Sequence, residues 1–240
     1  MREKSNEITA IPELLAVLDL RRATVTCDAM GCQTELVAGI VEAGGDYLIC
    51  SKGNQPTLEQ WIKEAFREAD DPRRRAVDEA PRPEVARHEE TEKGHGRIEQ
   101  RTVRVTSSLD WLQSKDRWVG LSDLVEVRRE RTVLATGKTS IDISHHIGSG
   151  TPPGAQRAAA LIRRHGFIDN GLHWVLDVAF REDDARHRAK NAAANMTTLR
   201  HFALALVRND PTRTLGVANT RKRAAFMREY LISLFASFAA

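Results

Sequence analysis

Two aspartates carry the clearest chemistry in this chain. Asp28 closes the β-branched run "ATVTCD" and precedes the small residues Ala29 and Gly31. Its carboxylate therefore falls at the C-terminal end of a strand, where α/β sheets place their sites. Asp169 lies far along the chain in "HGFIDNGLHWVLDVAFREDDARHR", four residues before His173 and eight before Asp177. On a regular helix that spacing sets the three residues on one face. A hard cation such as Mg²⁺ needs oxygen ligands from one or two carboxylates, leaving room for water and phosphate oxygens. Two such ions roughly 3.5–4 Å apart activate a water or 3′-hydroxyl and stabilise the leaving oxygen in phosphodiester cleavage. Each acid also has a plainer reading. An acid at a strand end commonly caps the next helical turn, and His173 fits a satisfied histidine on a half-buried helix. Trp174 reads as core. Glu182, Asp183 and Asp184 read as a solvated patch.

The elements that would position these residues follow from the apolar spacing. Residues 7–20 read as a helix through Ile8, Ile11, Leu14, Leu15 and Leu18, and residues 23–28 as a strand. A helix over 32–44, a strand over 46–52 and a helix over 58–69 follow, with Gly44 and Gly45 closing the first of these. This alternation predicts parallel strands with crossover helices. Two strands alone make a marginal sheet, so the parallel layer looks too small. Residues 70–96 are charged and proline-rich and read as a linker. Residues 101–107 alternate as a strand, and 124–147 read as a hairpin turning at Gly137 and Lys138. Pro152 and Pro153 then open a helical stretch running to about residue 208, and a last helix covers roughly 220–236. The expected organisation is an α/β core portion over 1–69, a linker with a β-rich insertion over 70–150, helices over 151–208 and a C-terminal helix over 209–240.

The bulk properties narrow the class. The chain has 240 residues and a formal charge of +3, enough length for a sizeable core and a balance that permits nucleic-acid binding without requiring it. No run approaches the roughly 20 apolar residues of a membrane span, and the N-terminus has no apolar signal core, so a cytoplasmic protein with no membrane partner is expected. The three cysteines, Cys27, Cys32 and Cys50, form no CxxC pair and are expected to be reduced and partly buried. Arginines concentrate in the C-terminal third, a bias that suits either a phosphate backbone or a solvated helix surface. The segment "KGHGRIEQR" combines glycines with His95, Arg97 and Arg101 and reads as a phosphate-contacting loop. It does not match a P-loop, and no dinucleotide fingerprint occurs.

Several blocks, in order, resemble the ISAs-type (H-repeat-associated) family of insertion-sequence transposases. They are "EKSNEITAIPELLAVLDL", "TVTCDAMGCQ", "GGDYLICSKGNQPTL", "KGHGRIEQR" and "GLHWVLDVAFREDDARHRAKNAAANMTTLRHFALALV". The resemblance implies a DDE transposase with an α/β, ribonuclease-H-like core, two Mg²⁺ or Mn²⁺ ions, and DNA element ends as substrate. It maps the second acid onto Asp28. The third acid belongs to a motif like "R-x-H-W-x-I-E-N-x-L-H-W", which matches Arg163, His165, Ile168, Asp169, Asn170, Leu172, His173 and Trp174. Glycine stands at 166 where tryptophan is usual, and aspartate at 169 where glutamate is usual. The first acid belongs to a "DGK" motif that these 240 residues do not contain.

Asp28 and Asp169 are thus the expected catalytic and metal-binding residues. His95, Arg97, Arg101, Arg163, Arg164 and His173 are the expected DNA contacts. With one acid absent and another shortened, the chain is expected to be an N-terminally truncated, inactive copy with a bare edge on its parallel sheet. Self-association or pairing with intact transposase is a further expectation. Two other readings stay open: a non-catalytic DNA-binding remnant that interferes with intact transposase, and an unrelated α/β nuclease, which would need an acid set the sequence does not offer.

Overall fold

The computed structural model describes residues 7–70, 84–112, 115–150, 154–187 and 189–238, without the side chains of 7–10, 169 and 170. Pro152, Pro153 and the middle of the expected linker lie outside the described residues. The chain divides into two compact units, Met1–His165 and Gly166–Ala240. Packing therefore joins what composition had separated into an α/β portion and a β-rich insertion.

In the first unit, helix α1 (Glu7–Leu15), strand β1 (Thr24–Cys27), helix α2 (Thr34–Glu42), strand β2 (Asp46–Ser51) and helix α3 (Pro56–Asp70) follow in order. β1 and β2 are parallel, with Val25 opposite Tyr47 and Cys27 opposite Ile49. α1 stops five residues short of the expected 20: the chain turns at residues 16–18, and Leu14 and Leu18 are exposed. α3 opens on Pro56, whose fixed φ suits a first helical turn. Strands β3 (Val85–Gly94), β4 (Arg97–Thr106), β5 (Leu121–Val133) and β6 (Thr139–Ser149) follow as antiparallel hairpins.

The six described strands form one mixed sheet in the order β1-β2-β6-β5-β4-β3. β6 pairs antiparallel with β2, setting Ile147 opposite Ile49. The two-stranded layer that looked too small is therefore extended through β2, and the β-rich segment is part of the same sheet. β3 falls where a linker was expected. It is an edge strand with mostly exposed, charged side chains, so no apolar alternation marks it. At the opposite edge, β1 pairs with β2 alone among the described strands.

Side-chain alternation gives the sheet two covered faces. On one face Tyr47, Ile49, Leu124 and Ile147 pack with Val37 and Ile40 of α2 and with Ile62 and Phe66 of α3. On the other, Leu48, Val103, Val105, Val125 and Val127 meet Ala155, Ala158, Ala159 and Ile162. These last four belong to helix α4 (Gly154–Ile168), which crosses the unit boundary. The alanines let that helix lie close on a valine-rich surface.

The second unit replaces the expected long helix with pieces. A five-residue π-helical turn, Asp169–His173, leads into α5 (Trp174–Phe180), which ends at Arg181 in the left-handed conformation. Helices α6 (Ala192–Arg208), α7 (Val217–Phe226) and α8 (Arg228–Phe238) follow, the last two separated at Met227 where a single helix was expected. Val207, Ala224, Tyr230 and Leu234 form a small core. Trp174, expected in a core, is 60% exposed within this fold. Among the described residues no helix is long and apolar enough to cross a membrane.

His146 of β6 is buried on the α4 face, and desolvation, reinforced by Arg129, His145, His165 and Lys52, lowers its pKa from 6.5 to about 3. The folded state thus keeps it neutral where the unfolded chain binds a proton. Its contribution to stability is full above pH 6.5 and is lost as pH falls toward 3. Urea unfolding between pH 7 and 4 should show stability falling by up to about 1.4 kcal/mol per pH unit from this residue, and His146→Gln should flatten the slope. Because Ile147 lies fully buried in the shared core, Ile147→Ala should cost about 2–5 kcal/mol. The loss should appear as one transition of the first unit, followed through Trp61 and Trp118 fluorescence.

Candidate functional site

Asp28 sits one residue beyond β1, exposed, as the N-cap of the short 3₁₀ turn Ala29–Gly31. Its Oδ1 accepts from the Met30 amide at 2.9 Å. Among the described residues no donor is bonded to Oδ2. The cap reading is therefore correct, and it leaves one carboxylate oxygen open to solvent. Both roles fit one side chain, because the cap fixes the carboxylate's direction through a single oxygen.

The loop around Asp28 is held from three sides. Asn54 Nδ2 donates to the Ala29 carbonyl at 2.5 Å, and Gln55 Nε2 donates to the Cys32 carbonyl at 3.0 Å. Both come from the segment after β2, so the parallel strand pair brings the two loops together. Gly31 lies so close to β1 that an added Cβ would stand 2.6 Å from Cys27 Cβ. Behind the strand, Thr26 Oγ1 and His165 Nδ1 are 3.2 Å apart, tying β1 to α4. Residue types alone did not single out Asn54 or Gln55; the only available signal was their place just beyond a parallel strand.

The cysteines beneath this loop are free thiols. Burial pushes Cys27 up to about 11, with the Asp28 charge adding to it, and pushes Cys32 up to about 12. Such thiols are poor nucleophiles and metal ligands at neutral pH.

Asp169 begins the π-helical turn of the second unit, and its side chain lies outside the described residues. Asp28 and Asp169 belong to different units. The i→i+5 turn changes the helical phase at Asp169, and among the described residues no hydrogen bond or ion pair joins Asp177 to His173. Asp177 instead accepts from the Asp183 amide at 3.2 Å, closing the chain after α5. Glu182, read as solvated, accepts from Thr197 Oγ1 of α6 at 3.1 Å. Arg208, at the end of α6, donates to the Gly171 carbonyl inside the π turn. Its cationic fork thus pins the backbone that carries Asp169, a role its position in the sequence does not reveal. Among the described residues, no three His, Cys, Asp or Glu side chains cluster as a metal site.

The expected DNA contacts scatter. His95 and Gly96, both at positive φ, form the two-residue turn of the β3–β4 hairpin, so the expected loop is a tight turn flanked by strands. Arg97 begins β4 and is exposed. Arg101 is only 16% exposed and is paired with Glu90 and Glu99. Arg163 is held by Glu90 and Glu92. Arg164 of α4 is exposed with no carboxylate partner among the described residues, and His173 is exposed in the second unit.

Comparison with known proteins places these features in context. Residues 2–206 match the family described as "Transposase DDE domain". The chain is 37% identical over 237 residues to the H repeat-associated putative transposase YhhI of Escherichia coli (strain K12), covering 98% of this chain and 60% of that protein. Identity and coverage are the same for the putative protein YbfL of that strain. The putative transposase YncI of Escherichia coli O157:H7 is 34% identical over 237 residues, 58% of its length. The chain thus spans about 60% of the length of these relatives.

The geometry of the Asp28 loop separates capping from charge. Asparagine caps as well as aspartate, so Asp28→Asn should leave the melting midpoint nearly unchanged, whereas Asp28→Ala should cost about 1 kcal/mol. Gly31→Ala should cost about 1–3 kcal/mol by overpacking against Cys27. Calorimetric melting of the three variants tests this order.

Proposed function

Because the chain belongs to the transposases with a DDE domain, we propose that it is built for metal-dependent DNA transposition chemistry at element ends, with Asp28 and Asp169 as metal-binding acids. We further propose that these 240 residues alone bind DNA without cutting it. The observation that carries the first part is the Asp28 carboxylate: exposed, at the C-terminal end of a parallel strand, and aimed by a cap that occupies one oxygen. That is an oxygen donor suited to Mg²⁺ or Mn²⁺, which prefer to keep several waters.

Bound there, divalent ions would supply activation of water or a 3′-hydroxyl and neutralisation of the leaving oxygen. The chain's own task is to hold the acids still. For Asp28 this is done by the Met30 amide, Asn54, Gln55 and the close approach at Gly31. For Asp169 the π turn and Arg208 serve the same end. Aspartate in place of the family's glutamate withdraws the carboxylate by about 1.5 Å, one C–C bond. Misplacement of that order lowers rates about a hundredfold. Together with the absence of a "DGK" acid from these 240 residues, this supports binding without turnover.

Mn²⁺ titration of the purified chain, followed by electron paramagnetic resonance, should show binding that Asp28→Asn weakens about tenfold or more. Duplexes carrying the element ends should be shifted in gels and left uncut with either ion. Robust cleavage abolished by Asp28→Asn would overturn the inactivity. Unchanged Mn²⁺ affinity in Asp28→Asn would remove Asp28 from the metal site.

A further inference from the structure

On the face of the sheet that carries α3, the apolar core gives way to charge along the flank of that helix, where Glu59 approaches His145 and Asp70 binds Arg104. Successive cross-strand rows read Val85, Thr106, Leu124 and Ile147, then Arg87, Arg104, Glu126 and His145, then Glu89, Thr102, Arg128 and Ile143. The second row and, from the third, Thr102, Arg128 and Ile143 line an open cleft of about 720 Å³ in the first unit, together with Lys63, Phe66 and Arg67 of α3 and the carboxylates Asp70 and Glu130. Arg87 stands directly opposite Arg104. Like charges in that position destabilise a sheet unless neighbours compensate them, and here Glu89, Asp70 and Glu126 do so.

The cations of the cleft divide by how they are held. Arg104 is committed: it is 17% exposed, binds Asp70 and Glu126, and lies over the Phe66 ring at 4.9 Å. It builds the wall. Lys63, Arg87 and Arg128 are each paired with one carboxylate, Glu59, Glu89 and Glu130 respectively, and remain 44–63% exposed. Exposed pairs of this kind are weak and exchange readily. Arg67 is exposed and has no carboxylate partner among the described residues. At the floor, His145 is buried with Nε2 3.6 Å from Glu126 and no hydrogen-bond partner for that atom. Thr102 and Gln100 add neutral donors.

We propose that this cleft is a docking track for the DNA phosphodiester backbone, with Arg67, Arg87 and Arg128 as the phosphate-contacting residues. The proposal rests on the DNA-binding reading above and assigns that binding to a surface other than the one around Arg101 and Arg163. On the opposite face those two arginines are held among Glu90, Glu92 and Glu99. A phosphate would have to displace carboxylates there, some of them shielded from solvent. In the cleft it exchanges with solvated surface pairs, and at Arg67 it displaces water. Arginine suits the task through its planar donor fork.

The test is fluorescence anisotropy with a short mixed-sequence duplex across a salt series. Each phosphate contact contributes about 0.9 to the slope of log K against log salt. Arg67→Gln should lower the slope by about 1, and Arg67→Gln/Arg87→Gln/Arg128→Gln by about 2–3, with affinity at low salt falling at least about tenfold. Arg67→Lys, which keeps the charge, should keep most of the slope. Arg117→Gln, an exposed arginine outside the cleft, should leave it unchanged. Equal melting midpoints will show that the variants are folded. If the unmodified chain binds with a normal slope and the triple variant keeps it, the cleft is not the track. An equal loss in Arg67→Lys or Arg117→Gln would overturn it as well. Absence of salt-sensitive binding by the unmodified chain would remove the DNA-binding reading itself, and the cleft with it.

Discussion

The pairing of β2 with β6 is the constraint on which the first unit depends. A parallel pair of four- and six-residue strands exposes too much backbone to persist alone. The antiparallel register that sets Ile49 against Ile147 and Leu48 against Gly148 joins it to four further strands and extends both cores across the junction. It also fixes which side chains share a face. Shifting that register by one residue would turn Ile147 toward α4 and His146 toward α3, exchanging core and polar surface throughout β6.

The same alternation sorts the unit's many arginines. Where α4 covers the sheet, Arg101, Arg163 and Arg131 interleave with Glu90, Glu92 and Glu99 in a ladder partly withdrawn from water. Arg101 and Glu99 are its shielded members, and stripping one partner from such a desolvated pair leaves an uncompensated charge. Beside α3 the opposite face is left open and, Arg104 and its partners apart, its ion pairs are solvated. Both faces carry arginines, and the number of carboxylates around each one differs: two for Arg101 and for Arg163, one for Arg87 and for Arg128. β3 shows the cost of that openness: as an edge strand it carries charge along its length, which also discourages edge-to-edge pairing.

Asp28 illustrates how a structural role and the chemical one proposed for it fit one side chain. The cap that orders the turn uses one oxygen of an exposed carboxylate, and the loop is clamped by backbone-directed amides that carry no charge of their own. On the other acid's side, a π-helical turn of the kind often found at functional sites holds Asp169, with Arg208 bonded to one of its carbonyls. Thr26 and His165 meet behind β1, so the strand that ends in Asp28 and the helix that leads to Asp169 are tied within the first unit. These are positioning contacts, and they accord with membership of a family whose chemistry depends on placed acids.

By itself the sequence determined the elements whose signal is local: the strand ending in Asp28, α2, β2 and α3, and the β5–β6 hairpin with its turn at Gly137. Strong apolar periodicity and turn residues suffice for those. Tertiary structure alone decided the rest. β3 was hidden because an edge strand need not alternate. The helical stretch expected from Pro152 and Pro153 to about residue 208 broke at a π turn and at Arg181, because hydrogen-bond phase and a left-handed cap depend on neighbours rather than on composition. Membership of one sheet, and the division of arginines into bound and available, were equally out of reach. They depend on which strand lies beside which, and non-local pairing leaves no trace in residue order.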